Sequence, residues 1–279
     1  MIASFRAEWL KFRTRPANWV LVLILVATLL AFSYILTYLI STHPPQGFRT
    51  EGGLPPSVLK RMAFPENLLS TVLADTSGLG VAIVLIMGAL SAGNEYSWLT
   101  WQTILVQRPA RLAVFLGKLL LLILVTLVLA LAMFGAAALT SLVLVQIDGS
   151  TSSFASWANI LKAIGAAWLV LATWTAFGLV LAVLFRGVAG SIGAGLVYVF
   201  VVEGLIAGLL RGVPGLKEVL RVLPGVNGGG IVAAFRGSVP QRGVPAPLVS
   251  AGRGALTVAI YLLVFSVVAA LIVRRRDLA

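Results

Sequence analysis

The sequence predicts an all-α, polytopic membrane protein with six transmembrane helices, and three observations predict it. Of 279 residues, 59% are hydrophobic and only 11% are charged, against roughly 25% charged in a soluble domain. The apolar residues come in blocks near the 20 or so that a helix needs to cross a bilayer. No run of short alternating segments, the signature of a transmembrane barrel, interrupts them.

Residues 2–15 place Ile2, Phe5, Trp9 and Phe12 on one helical face, with Arg6, Glu8, Lys11, Arg13 and Arg15 largely off it. This spacing predicts an amphipathic helix lying in the membrane interface, apolar side down. Pro16 suits the first turn of a new helix. The first span is expected over 19–40, with Trp19 and Tyr38 as interfacial anchors. Its apolar run exceeds the 7–15 residues or so of a signal-peptide core, so it reads as a retained span. A proline-rich connection runs from His43 to Ser70. Further spans are expected over 71–92, 118–144, 160–184, 188–210 and 254–273, making the chain one transmembrane domain over 1–279. The longest connection, 211–253, holds the amphipathic Lys217–Leu223, a candidate short helix, and Asn227 followed by three glycines, which reads as a turn.

The net charge is +12, and the cations cluster at span ends, where they face anionic headgroups; a nucleic-acid partner is not indicated. Placing the N-terminal segment inside leaves eleven of the 21 lysines and arginines inside. The raw count is balanced, but the inside charges sit tight against span ends, while six of the others lie in the long last loop. Short flanks weigh most in orientation, so both termini are expected on the cytoplasmic side of the cell membrane.

Cysteine is absent and His43 is the single histidine, which leaves no pattern for a metal site, a cofactor or a catalytic triad. A membrane enzyme needs convergent titratable groups, and the few acids are scattered over different spans. Two acids fall at or near membrane depth. Glu203 sits mid-way along the fifth span beside Gly204 and Gly208; it is a candidate for lining a translocation path, or else a protonated or paired structural residue. Asp75, near the start of the second span, is the other path candidate, or an early-turn residue favoured by the helix dipole.

The segment Gly93–Lys118 is the polar interruption on which function turns. Glu95, Tyr96, Trp98, Trp101 and Gln102, then Arg108, Pro109 and Arg111, predict a short interfacial helix ending before the proline. An aromatic belt with positive flanks explains the same composition. No phosphate-binding glycine motif occurs anywhere in the chain, so any ATP-driven work requires a second polypeptide.

The pattern G-x-E-Y-x-x-x-T, an apolar stretch, R-P-x-R and a lysine opening the next span (Gly93, Glu95, Tyr96, Thr100, Arg108, Pro109, Arg111, Lys118) resembles permeases of the ABC type-2 transporter family. The N-terminal interfacial helix, six spans and long final loop are similar as well. Leu99 stands where the family often has glycine, and Gln102 where a basic residue is frequent. The resemblance implies that the loop between spans two and three is a coupling helix docking on a separate ABC ATP-binding subunit, through Glu95, Tyr96, Thr100, Arg108, Pro109 and Arg111. It also implies a second permease copy, no catalytic residue in this chain, and export of a substrate. A non-transporting scaffold or sensor subunit of an ATPase-linked complex shares every one of these features.

Overall fold

A helix opens wherever the chain offers an apolar run behind a proline or an extended residue, and the computed structural model follows that rule. It describes residues 2–44, 55–97, 111–213, 215–236 and 246–275. Helix α1 spans Ile2–Thr14, and the extended Arg15 and Pro16 turn the chain into α2, Pro16–Thr42. Asn18 Nδ2 donates to Phe12 O at 3.0 Å and Trp19 Nε1 to Arg13 O at 2.9 Å, so α2 side chains satisfy carbonyls that the end of α1 leaves open. The short α3 (Pro56–Arg61) precedes α4, Pro65–Tyr96. Then come α5 (Arg111–Asp148), α6 (Trp157–Phe185) and α7 (Val188–Leu210). The short α8 (Lys217–Leu220) and α9 (Pro224–Ala233) lead to α10, Ala251–Arg275.

Six of these helices, α2, α4, α5, α6, α7 and α10, are long and apolar enough to cross a membrane. Each runs a few residues past its apolar run wherever the sequence allows, because backbone hydrogen bonding continues until something stops it. The stops are Pro16 before α2, Gly149 at φ 66° after α5, and Arg186 at φ 53° after α6. The longer α4 corrects the expectation for Asp75. The helix opens with a 3-10 turn at Pro65–Asn67, which puts Asp75 ten residues inside it, not in its first turn.

The spans arrange around α6. Within its most apolar window 72% of residues are buried, and 61% in α4, against 17%, 11% and 17% in α2, α7 and α10. The α4–α6 crossing is made by glycines. A Cβ on Gly88 would lie 2.1 Å from the Thr175 carbonyl oxygen, and one on Gly178 2.1 Å from that of Leu85. Gly195 of α7 likewise sits where a Cβ would strike the Leu85 side chain. Small residues that let backbones meet supply the dispersion contacts on which helices rely where no hydrophobic effect drives them together. Trp168 Nε1 donates to Ile123 O of α5 at 3.0 Å and Thr173 Oγ1 to Val258 O of α10 at 3.2 Å. Phe177 packs against Tyr198 of α7 and Phe265 of α10 at ring-centroid distances of 5.2 and 5.0 Å.

Two sets of ends result. At one, Ala92 of α4, Val114 and Phe115 of α5, Leu179, Val180, Ala182 and Val183 of α6 and Ala269 and Val273 of α10 form one apolar cluster. At the other, Ala207 of α7 packs with Leu220 and Val226 of the last connection. There Asn227 and its three glycines are not a turn: they lie inside α9, opened by Pro224 at its first turn. The glycines serve proximity instead. A Cβ on Gly230 would meet Val249 at 2.5 Å, and one on Gly254 of α10 would meet Asn227 O at 2.5 Å.

Valine at Gly88 or Gly178 is expected to cost more than the 1–3 kcal/mol or so typical of overpacking, because the struck atoms are backbone and cannot rotate away. Size-exclusion profiles and thermal unfolding in detergent would show loss of folded chain for both, and little change for Gly135→Val, where a Cβ meets nothing within 4 Å.

Candidate functional site

Charge buried beside a membrane must find its opposite. At the end of the bundle that holds α1, four side chains do so in a closed ring. Lys11 Nζ donates to Glu8 Oε1 at 2.7 Å and to Glu95 Oε1 at 2.8 Å. Lys118 Nζ donates to Glu8 Oε2 at 2.6 Å and to Glu95 Oε1 at 3.0 Å, with its third hydrogen on Ser91 O at 2.9 Å. The ammonium of Lys118 is thereby saturated, and the ring carries two positive and two negative charges. Lys118 and Glu95 are each 1% exposed and Glu8 is 5% exposed.

The ring explains the face that α1 presents. Ser4, Glu8 and Lys11 follow at spacings of four and three, and this polar stripe packs on the bundle, with Phe5 and Phe12 of the apolar one part-buried beside it. Trp9 is 46% exposed on the opposite side and stacks on Phe12 at a centroid distance of 6.4 Å. Of the charges expected off the apolar face, Glu8 and Lys11 turn inward to protein, while Arg6 and Arg13 stay exposed. Close approach needs Gly117, where a Cβ would lie 2.9 Å from Ser4 Cβ and 3.0 Å from Phe5 N. Gly93 does the same for the end of α4 against Val188 of α7.

Burial works to raise the Glu8 carboxyl, but Lys118 and Lys11 outweigh it and hold Glu8 below its ordinary 4.5. Burial works to lower the Lys11 ammonium, yet Glu95 and Glu8 hold it above its ordinary 10.5.

Of the residues singled out by sequence, Glu95 is therefore turned into the bundle, and Tyr96 packs part-buried against the Ala92–Phe115 cluster. Arg111 opens α5. Thr100, Arg108 and Pro109, with the expected interfacial helix, lie outside the described residues. Glu8 and Lys11 were legible only as a charged pair one turn apart; their partners lie 110 and 84 residues away.

The two path candidates lie apart from the ring, and each borders a π-helical stretch, a form that recurs at functional sites. Asp75 precedes Thr76–Gly80 and is half-buried. Glu203 lies in the π-helical Tyr198–Ile206 of α7. Its Oε1 accepts from Gly225 N at 2.9 Å and from Tyr198 Oη at 3.2 Å. It thereby caps the N-terminal turn of α9 from another helix, where the helix dipole favours a negative charge. A Cβ on Gly225 would lie 2.5 Å from Glu203 Oε2, so a side chain there would push the carboxylate away from the turn it caps. Glu203 and Ser77 both line a cleft of about 280 Å³ between α4, α6, α7 and α9; Asp75 does not. No group of three His, Asp or Glu side chains able to hold a metal occurs among the described residues.

A family model described as protein of unknown function (DUF2705) matches residues 66–279. The chain belongs to this family. The DUF2705 match takes in Glu95, Lys118, Glu203 and Gly225, while α1 with Glu8 and Lys11 precedes it. No curated protein matches the chain.

The ring's pH dependence follows from its two shifts. Glu8, held low, contributes stability that is present above pH 4.5 and lost as pH falls through its depressed value. Lys11, held high, contributes stability that is present below pH 10.5 and lost as pH rises through its elevated value. Amide exchange of residues 2–14 should therefore be slow and flat between those limits and accelerate on both flanks. Lys118→Met is expected to cost about 3–5 kcal/mol, because it removes a buried ammonium on which Glu8, Glu95 and the Ser91 carbonyl all depend. Adding Glu8→Gln should recover part of that loss in thermal unfolding, since the remaining Lys11–Glu95 pair is neutral.

Proposed function

We propose that this chain is the membrane-spanning permease subunit of an ABC transporter, moving a substrate across or out of the cell membrane with ATP hydrolysed by a separate subunit. It would work beside a second permease copy, with the α1 end of the bundle facing the cytoplasm. The observation that carries the reading is the buried ring. It fastens α1, the end of α4 and the start of α5 together, on either side of residues 98–110 in the sequence. That segment holds the Thr100, Arg108 and Pro109 of the pattern that resembles the coupling loop of ABC permeases, with Arg111 directly after it.

Such an arrangement suits a transmission surface. A loop hung between two loosely held helices would absorb a push by bending. Hung between helices locked by four buried charges, it passes the push to α4, and through the Gly88–Gly178 crossing to α6. In this reading Glu95 positions the surface, and contact with the ATP-binding subunit falls to Thr100, Arg108, Pro109 and Arg111. The two arginines give the encounter its charge complementarity.

The test is co-expression with an ATP-binding-cassette protein encoded beside this chain, followed by purification in detergent. A stable complex whose ATPase rate responds to the permease is expected, with Arg108→Glu plus Arg111→Glu dissociating it. A complex that survives both reversals at full activity would remove the loop from the interface. Absence of any complex would remove the ATPase partnership itself.

A further inference from the structure

The cleft at the other end of the bundle is lined by Ser77 and Val81 of α4, Val170 and Trp174 of α6, Val199, Phe200 and Glu203 of α7, and Gly225 and Val226 of α9, with Arg211 just past the end of α7. Its volume of about 280 Å³ is close to the lower bound of small-molecule sites, roughly 300 Å³. Its chemistry is divided. The walls are valine and aromatic, yet two buried polar atoms, Glu203 Oε2 and Ser77 Oγ, have no hydrogen-bond partner among the described residues. Arg211, on the same cleft, makes no ion pair among them. Buried polar atoms left this way cost free energy unless something satisfies them.

The needs are complementary in sign. Glu203 and Ser77 call for a donor, and beside a carboxylate a cationic donor is favoured. Arg211 calls for an anion. A single net-neutral group with an ammonium and a phosphate meets both and adds no net charge to a low-dielectric site. The apolar walls call for a hydrocarbon chain on the same molecule. Access is lateral: Phe200 is 52% exposed on α7, the span least covered by protein.

We infer that this cleft binds a zwitterionic aminophospholipid from the bilayer, its primary ammonium held by Glu203 and Ser77, its phosphate by Arg211, and its upper chain along Val199, Phe200 and Trp174. A quaternary ammonium has no N–H and satisfies the charge but not the two acceptors. An anionic headgroup without nitrogen meets Glu203 unfavourably. As a statement of cargo class the inference rests on the transport reading. The binding is read on the isolated chain, so its failure and that of the ATPase partnership are separate results.

The experiment is native mass spectrometry of the purified full chain in detergent, titrated with phosphatidylethanolamine, phosphatidylcholine and phosphatidylglycerol of equal chain length. Retention is expected to fall in that order. Glu203→Gln, which keeps the Oε1 acceptor for Gly225, should reduce phosphatidylethanolamine retention about tenfold, the effect of one charged hydrogen bond. Ser77→Ala, which removes one hydroxyl and no packing atom, should reduce it in the same direction with unfolding temperature unchanged. Glycerophosphoethanolamine, the headgroup without chains, should not compete. Equal retention of the three lipids, indifference to both substitutions, competition by the chainless headgroup, or preferential capture of a zwitterionic hydrophobic peptide would each overturn the assignment.

Discussion

Charge in a low-dielectric surround has to be neutralised locally, and this chain is built around meeting that demand at one end of its bundle. Four charges of alternating sign close a ring, and one of its ammoniums uses all three hydrogens. Buried ion pairs are poor sources of net stability, since desolvation consumes much of the Coulombic gain. What they supply here is register. Only one docking of α1 on α4 and α5 satisfies Glu8, Glu95, Lys11 and Lys118 together, and the absence of a side chain at Gly117 permits that docking.

The opposite end is less completely satisfied. Glu203 uses one carboxylate oxygen to hold α9 and leaves the other facing a cleft with Ser77. Between the two ends the scaffold is stiff, because the α4–α6 crossing brings backbone against backbone at Gly88 and Gly178. A closed electrostatic joint, a rigid crossing and an open polar cleft form one continuous line through α4. A push at the joint would bear on the cleft, where α4 carries its π-helical stretch and the bend at Gly78.

Much of the fold was legible because membrane spans announce themselves by length and apolarity. All six lie where the apolar runs lie, and α5 and α6 run on to the left-handed Gly149 and Arg186. The α9 helix was not legible. Three successive glycines signal a turn by local propensity, and it took contact with Val249 and Asn227 across to α10 to override it. The α1 helix was legible as amphipathic but not as to which face meets protein. Hydrophobicity points to the apolar stripe, whereas it is Glu8 and Lys11 that find their partners in the bundle and Trp9 that stays on the open side. Glu95 shows the same limit within a motif: its place beside the loop is readable, and its burial is not.

What the sequence determined by itself is therefore the solvent each segment requires: six stretches that need hydrocarbon, a polar island between the second and third, and no phosphate-binding motif of its own. What only the tertiary structure decided is which charge meets which. The partners of Glu8 and Lys11 lie 110 and 84 residues away, and the capping contact of Glu203 lies on the far side of a loop 22 residues on. Ion-pair and hydrogen-bond contacts are set by distance in space and are indifferent to sequence separation. The pairing is fixed only when packed glycines bring the helices to within reach.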